Sequence, residues 1–404
     1  MNAAASCADP NNTPSVLLVA EGCASGGIGR YCLDLAELLG PAAALVCLCS
    51  QPTTECEGCW LRSHCEARGL QLLSIPMGAR EWRHAYRALM TLWRHTGHPV
   101  LHTNGRRGSF LAQVISAANR ELSFVTTVHG VLGLHARRNA VYRLVDLAAC
   151  RSAAAVIAVS ADTRRRLVVM GSPISRTLCV PNGLRAKDLS LLTTGARRKA
   201  GSARSGAPVR VGFLGRLSQE KGIGDFAKIA THLHGFDRSV EFLVAGDGPL
   251  RQSIVEQTRQ LAGAGVLKYL GEAQHVEEVL EEVDVLIMPS RNEGLPYVLL
   301  EGMAAGCAVV AYGVGGIPEI VRDRSLGLLA RPGDLDGLFR SVLRLVREPN
   351  LVRQIGMHAS EHVDSHFRLE ERLPMLLAAY EIARPVRRGP LDVAPSEGWF
   401  KKCV

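Results

Sequence analysis

The sequence predicts an α/β protein made of two consecutive doubly wound domains, each a parallel, Rossmann-like sheet covered by helices. Three observations lead there. Short apolar runs alternate with amphipathic stretches and are followed by glycine-rich turns, the pattern of parallel strands joined by crossover helices. The alternation breaks once, in a polar stretch before residue 208, and then restarts. At 404 residues the chain is also too long for a single core and suits two or three.

SVLLVA (15–20) reads as a buried strand, followed by a glycine turn and an amphipathic stretch to Leu39. AALVCLC (43–49), LQLLSI (70–75), PVLH (99–102), SFVTTV (123–128) and AVIAV (155–159) are further short apolar runs, most of them separated by helical periodicity. The stretch after Pro181-Asn182-Gly183 is polar and poor in core residues, and is expected to be a linker. PVRVGFLG (208–215), VEFLVAG (240–246), VLKYLG (266–271), VDVLIMPS (283–290), CAVVAY (307–312) and LGLLA (326–330) then repeat the strand-and-turn pattern. From Asp334 to about Ile382 the chain is largely helical. The expected organisation is a flexible N-terminus over 1–14, a first domain over 15–185, a linker over 186–207, a second domain over 208–370, and a C-terminal helix and tail over 371–404. That last helix is expected to pack back on the first domain.

Composition narrows the function classes. A hydrophobic content of 47% with 40 glycines excludes a disordered chain and a coiled coil. No run approaches the ~18 apolar residues of a membrane span. MNAAASCADPNNTP has neither a basic start nor an apolar stretch, so it does not read as a secretory leader. A cytoplasmic protein is expected, with its 12 cysteines mostly thiols. Charge is uneven: residues 1–207 carry 24 Lys and Arg against 12 Asp and Glu, net +12, while 208–404 carry 23 against 26, net −3. Two domains facing different partners fit that asymmetry. Nucleic-acid binding is not expected, because the basic half lacks aromatic interleaving in a recognisable module.

The turns carry the candidate chemistry. Gly26-Gly27-Ile28-Gly29-Arg30 follows the first strand and opens a helix, where glycines admit a ligand and free N–H groups suit an anion. Any tight strand-to-helix turn favours glycine, so both readings stay open, and the spacing fails the G-x-G-x-x-G of a dinucleotide fold. Gly215-Arg216-Leu217-Ser218-Gln219-Glu220-Lys221-Gly222 places a forked donor and a point charge after a strand, suited to a diphosphate or to an ordinary solvated loop. Asp284–Ser290 runs into Arg291-Asn292-Glu293-Gly294-Leu295-Pro296, and eight residues after Glu293 comes Glu301. Proline near a helix start puts backbone N–H groups beside Glu293. Ionised glutamates accept hydrogen bonds from sugar hydroxyls, although two acids on a helix are also common on any surface.

These residues together resemble the retaining GT-B glycosyltransferases of glycosyltransferase family 4. The resemblance rests on GGIGRY (26–31), VTTVHG (125–130), AVSADTRRRL (158–167), VPNG (180–183), GFLGRLSQEKG (212–222), AGDGPLR (245–251) and MPSRNEGLPYVLLEGMAAGCAVVAYGVGGIPEIV (288–321), and it extends over about 15–385 in the expected order. The last run holds the family's Glu-x7-Glu signature. The resemblance implies a hexosyltransferase using a UDP- or GDP-linked donor, with Arg216 and Lys221 on the diphosphate, stabilising the leaving group. It implies Glu301 on the ribose, and Glu293 with the backbone around Gly294 and Leu295 on the donor sugar. His129 is implied near that sugar in an interdomain cleft, and the Gly26–Gly27 loop near the diphosphate and acceptor, with domain closure assembling the set. A buried structural role is the plain alternative for His129. Front-face transfer needs no general base, and no metal cofactor is implied because Arg216 and Lys221 supply the positive charge. The implied acceptor is a growing or lipid-linked glycan in polysaccharide biosynthesis. A nucleotide-sugar 2-epimerase and a non-catalytic nucleotide-sugar-binding subunit are the alternatives.

Two segments lie outside that pattern. Residues 80–95 form an expected helix with Arg80, Arg83, Arg87 and Arg94 near helical spacing and Trp82, Tyr86, Leu89 and Trp93 on a neighbouring stripe. A helix lying on an anionic membrane fits, as does a core-facing stripe with a solvated basic face. Cys56, Cys59, His64 and Cys65 offer candidate metal ligands within one short segment, with free thiols as the favoured reading.

Overall fold

The computed structural model describes residues 16–22, 26–49, 60–78, 81–97, 99–130, 138–201, 208–273 and 275–384. These fall into two compact units. The first runs to Val159 and takes in Thr163–Val180 and the C-terminal helix from Arg372, and the second takes Ser160–Asp162 and Pro181–Glu371. The expected flexible N-terminus and C-terminal tail lie outside the described residues.

Strands and helices alternate through the first half: β1 Val16–Glu21, α1 Gly27–Leu39, β2 Ala43–Cys49, α2 Trp60–Ala67, β3 Leu72–Pro76, α3 Trp82–His95 and β4 Val100–Asn104. They continue as α4 Arg106–Ala118, β5 Phe124–Val128, α5 Arg138–Ser152, β6 Ala155–Ala158, α6 Ala161–Val169 and β7 Thr177–Cys179. The seven strands pair in parallel in the order β3-β2-β1-β4-β5-β6-β7. Helices cover such a sheet on both faces, so its central strands β1, β4, β5 and β6 bury nearly every position, which is why they read as unbroken apolar runs. Leu17, Leu18 and Val19 are no more than 1% exposed.

The second unit opens with α7 Ala186–Gly201, then β8 Arg210–Leu214, α8 Ile223–Phe236, β9 Glu241–Ala245, α9 Arg251–Gln257, α10 Arg259–Gly263, β10 Leu267–Gly271, α11 Val276–Glu282 and β11 Val285–Met288. After these come α12 Tyr297–Ala304, β12 Ala308–Tyr312, α13 Ile317–Ile320, β13 Leu328–Ala330, α14 Leu335–Arg347 and α15 Pro349–His366. Its six strands are parallel, in the order β10-β9-β8-β11-β12-β13. The last helix, α16 Leu373–Ala383, belongs to the first unit and packs along β5 and β6.

One expectation is corrected. The stretch read as a linker over 186–207 is the helix α7 through Gly201, with 202–207 outside the described residues. Leu189, Leu192 and Ala196 are its buried stripe, at helical spacing within otherwise polar sequence. Lys199 pins it, its Nζ donating to the Val283 carbonyl at 2.7 Å and to that of Leu280. Of the two readings of the α3 stripe, the core-facing one matches its packing. Leu89 and Trp93 are at most 1% exposed, Tyr86 packs on the same cluster, and the Trp93 indole donates to the Pro99 carbonyl at 2.9 Å. Trp82 alone of that stripe is exposed, at 41%, with the Arg83 guanidinium over its ring.

This division of α3 is measurable. Trp93→Ala should cost about 3–5 kcal/mol in urea unfolding by leaving a cavity, whereas Trp82→Ala should stay within about 0.5 kcal/mol.

Candidate functional site

In an open parallel sheet, a crevice forms outside the carboxyl ends where strand order reverses. In the second unit that point lies between β8 and β11, which are neighbours in the sheet although β9 and β10 intervene in sequence. The loop after β8 holds Arg216 and Lys221, and the loop after β11 holds Glu293. The structure joins them: Lys221 Nζ donates to Glu293 Oε1 at 2.7 Å, with the lysine side chain 33% exposed and the glutamate 7%. The Arg291 amide also donates to the Glu220 carbonyl at 2.8 Å. Gly222 sits at φ +73° against the Pro289 carbonyl, and a Cβ there would collide with that oxygen. Arg216 is exposed at the same edge.

The 291–296 loop is held from two further sides. Gly315, at φ +56°, lies against the Glu293 carbonyl so closely that a Cβ would overlap it, and the Gly316 amide donates to the Gly294 carbonyl at 2.7 Å. Asn182, 3% exposed, donates from Nδ2 to the Leu295 carbonyl at 2.7 Å, while its Oδ1 is buried without a partner. Pro296 then caps α12 and aims the helix N-terminus at this edge, with Glu301 half-buried in the second turn. Gly294 and Leu295 are buried in the turn itself. The assembly offers cationic groups and backbone N–H groups to an anion, and the Glu293 carboxylate to hydroxyl donors.

In the first unit the reversal falls between β1 and β4. Gly26 and Gly27 are exposed at the start of α1, and Gly26 as its N-cap has no side chain to cap it. The neighbouring start of α4 is occupied by the chain itself: Glu21 accepts from the Arg107 amide at 3.0 Å and from its Nε at 2.8 Å. Behind this edge lies a buried polar chain. His102 Nδ1 meets the Tyr380 hydroxyl at 2.9 Å and its Nε2 meets Thr127 Oγ1 at 2.7 Å, and Tyr31 approaches the same Oγ1 at 3.4 Å. His129, part-buried just beyond β5, bonds through Nε2 to Asn104 Oδ1 at 3.0 Å and receives the Tyr31 ring edge-on at 4.9 Å. Burial pushes His102 down to about 3 and His129 down to about 4, so both rings are neutral at pH 7. Burial raises the Tyr31 and Tyr380 hydroxyls in the opposite direction.

The residues singled out from sequence thus occupy two carboxyl edges: Gly26, Gly27 and His129 on the first unit, and Arg216, Lys221, Glu293, Gly294, Leu295 and Glu301 on the second. Sequence reasoning missed Asn104, Asn182, His102 and Tyr380. Asn182 was within reach, in the quoted VPNG run, whereas the contact of His102 with Tyr380 spans 278 positions and leaves no local signal. Asp334-Leu335-Asp336 forms an Asp-x-Asp pattern, but Asp334 accepts from the Gly337 amide at 2.8 Å and caps α14. Of the candidate metal ligands, Cys56 and Cys59 lie outside the described residues, His64 stacks on Trp60 and bonds its carbonyl, and Cys65 is buried. Among the described residues no cluster of three or more such side chains has metal-holding geometry.

Comparison with known proteins agrees with this architecture. A crystal structure of HepE from Anabaena with UDP and glucose superposes with a TM-score of 0.75 at 18% identity, over 91% of this chain and 99% of that one. Residues 26–183 match the model of a glycosyl transferase 4-like domain, and residues 208–348 that of the group 1 glycosyl transferases. The chain is a GT-B glycosyltransferase of the family 4 type. Among curated relatives of this transferase, the 2-deoxystreptamine glucosyltransferase of Streptomyces kanamyceticus is 28% identical over 70% of this chain and 76% of its own. The N-acetyl-α-D-glucosaminyl L-malate synthase of Bacillus anthracis is 28% identical over 44% of this chain, which spans about half of that relative, 51%.

The transferase should lose stability in acid for a reason located at His102. The unfolded imidazole binds a proton near pH 6.5 and the folded one only near 3, so between these values the unfolded state holds more protons and stability falls as pH drops. The slope for this ring is about 1.4 kcal/mol per pH unit. Urea midpoints at pH 7, 6 and 5 should show it, and His102→Gln should remove this ring's share of the slope and leave that of His129.

Proposed function

We propose that this glycosyltransferase moves a hexose from a UDP-linked donor to a hydroxyl acceptor with retention of anomeric configuration. The observation that carries the reading is the Lys221–Glu293 pair across the β8/β11 switch point, beside the N-terminus of α12. Lys221 and Arg216 neutralise the diphosphate as the bond from the anomeric carbon to its phosphate oxygen breaks. Glu293 and the backbone at Gly294 and Leu295 hold the sugar hydroxyls, Glu301 the ribose, and the open Gly26–Gly27 turn a further phosphate or acceptor oxygen. The acceptor oxygen attacks on the face the phosphate leaves, and its proton passes to the departing phosphate oxygen, so no carboxylate base is required. The solved neighbour carrying UDP and glucose, and the glucosyltransferase relative, support UDP and a hexose. With two cationic side chains at the diphosphate, no metal cofactor is needed, and chelators should leave turnover unchanged.

A growing glycan or a sugar carried on a lipid-linked phosphate is the proposed acceptor, supported by the net +12 of residues 1–207. We place the enzyme in the cytoplasm, at the inner face of the membrane. No helix among the described residues is long and apolar enough to cross a membrane. With the apolar stripe of α3 in the core, surface contact there is electrostatic, through the exposed Arg83, Arg87 and Arg94. Arg83→Glu with Arg87→Glu should weaken binding to anionic vesicles, an effect suppressed by salt; unchanged sedimentation would refute the contact.

The donor reading is tested by thermal unfolding with UDP, GDP, ADP and their hexose conjugates. A nucleotide sugar at 100 times its dissociation constant adds about 2.7 kcal/mol. Stabilisation by the UDP series, lost in Lys221→Ala, is expected. No shift with any nucleotide would overturn the reading.

A further inference from the structure

We propose that Asn104 is a positioning residue for His129: its carbonyl oxygen decides which ring nitrogen carries the proton, and so presents the other, Nδ1, as a bare acceptor to a donor-sugar hydroxyl. The role of Nδ1 rests on the reading of His129 as the residue beside that sugar. The proton placement rests on the orientation of the Asn104 amide.

Asn104 ends β4 and is completely buried. Its Oδ1 lies 3.0 Å from His129 Nε2. In this amide orientation the carbonyl oxygen faces the ring and accepts from Nε2, and a neutral imidazole has a single N–H. Nδ1 therefore keeps its lone pair. The other half of the amide, Nδ2, is buried and has no hydrogen-bond partner among the described residues. A side chain kept for packing at the end of a buried strand would be apolar. A half-satisfied amide there, bonded to one histidine, is what orientation of that histidine requires. The ring plane is fixed independently by the edge of Tyr31, itself held through Thr127, His102 and Tyr380.

The amide also suits the charge state. The titratable groups around the ring are Tyr31 on α1, His102 on β4 and, through His102, Tyr380 on α16, all uncharged at neutral pH. An aspartate at position 104 would accept the same bond but would draw a second proton onto the ring and close Nδ1 as an acceptor.

The test uses the full chain, 15N-labelled, with long-range 1H–15N correlation of the histidine rings at pH 7 and assignment by the signal lost in His129→Gln. The parent should show His129 as the single Nε2–H tautomer. Asn104→Leu should give mixed tautomers and a kcat lowered about 10- to 100-fold, with KM for the UDP-hexose little changed and an unaltered thermal midpoint. Asn104→Asp should restore the Nε2–H tautomer and most of kcat at high pH, with a new acid limb as the ring protonates. An Nδ1–H tautomer in the parent, or unchanged tautomer and kcat in Asn104→Leu, would overturn the proposal. Should Asn104→Leu fail to fold, the parent spectrum and the acid limb of Asn104→Asp decide. The ring spectra need no donor, so an absence of hexose transfer would sink the functional reading while the tautomer still decides the role of Asn104.

Discussion

At the carboxyl edge of the second sheet, three backbone segments approach closer than any side chain allows, and the geometry there depends on that approach. Gly222 and Gly315 sit at positive φ against the carbonyls of Pro289 and Glu293. With those loops pressed together, Lys221 reaches Glu293 across the gap between β8 and β11, and a largely buried carboxylate is paired with a lysine whose other side is open to water. A part-buried ion pair adds little net stability by itself. Its value here is positional, since each partner fixes where the other presents its remaining hydrogen-bonding capacity.

Both units place a buried asparagine amide at the corresponding edge, each with one half bonded and one half unmet. Asn182 donates to the Leu295 carbonyl and leaves Oδ1 empty, while Asn104 accepts from His129 and leaves Nδ2 empty. A buried polar atom without a partner costs about 1–3 kcal/mol. The contrast with the rest of the first unit's polar core is informative. There His102, Thr127 and Tyr380 saturate one another, as buried polar groups do when only stability is at stake.

The sheets were legible because parallel strands covered on both faces must be apolar throughout, and Leu17–Val19 or Leu286–Met288 have no other reading. The helix α7 was not, because its stripe of Leu189, Leu192 and Ala196 is thin and interrupted by Thr193, Thr194 and Gly195. In α3 the amphipathic pattern was plain, but a pattern states that a face is apolar and says nothing of what covers it. Lys221 and Glu293 each stood out singly, whereas their pairing depends on strand order. Asn104 lies two residues beyond the apolar run PVLH and carries no signal of its own, and only the arrival of His129 from the neighbouring strand gives its amide a task.

The grouping of α16 with the first unit has a consequence for how the chain is made. Tyr380 supplies the hydroxyl that meets His102, and Leu376, Ala379 and Ala383 are buried beside it. On the ribosome, domains fold in turn as they emerge. Here the unit whose strands are synthesised first lacks its last helix until the whole second unit has been made, while the second unit is complete at Glu371. The order of synthesis and the order of completion are reversed, and His102 waits without its partner through the translation of the entire second sheet.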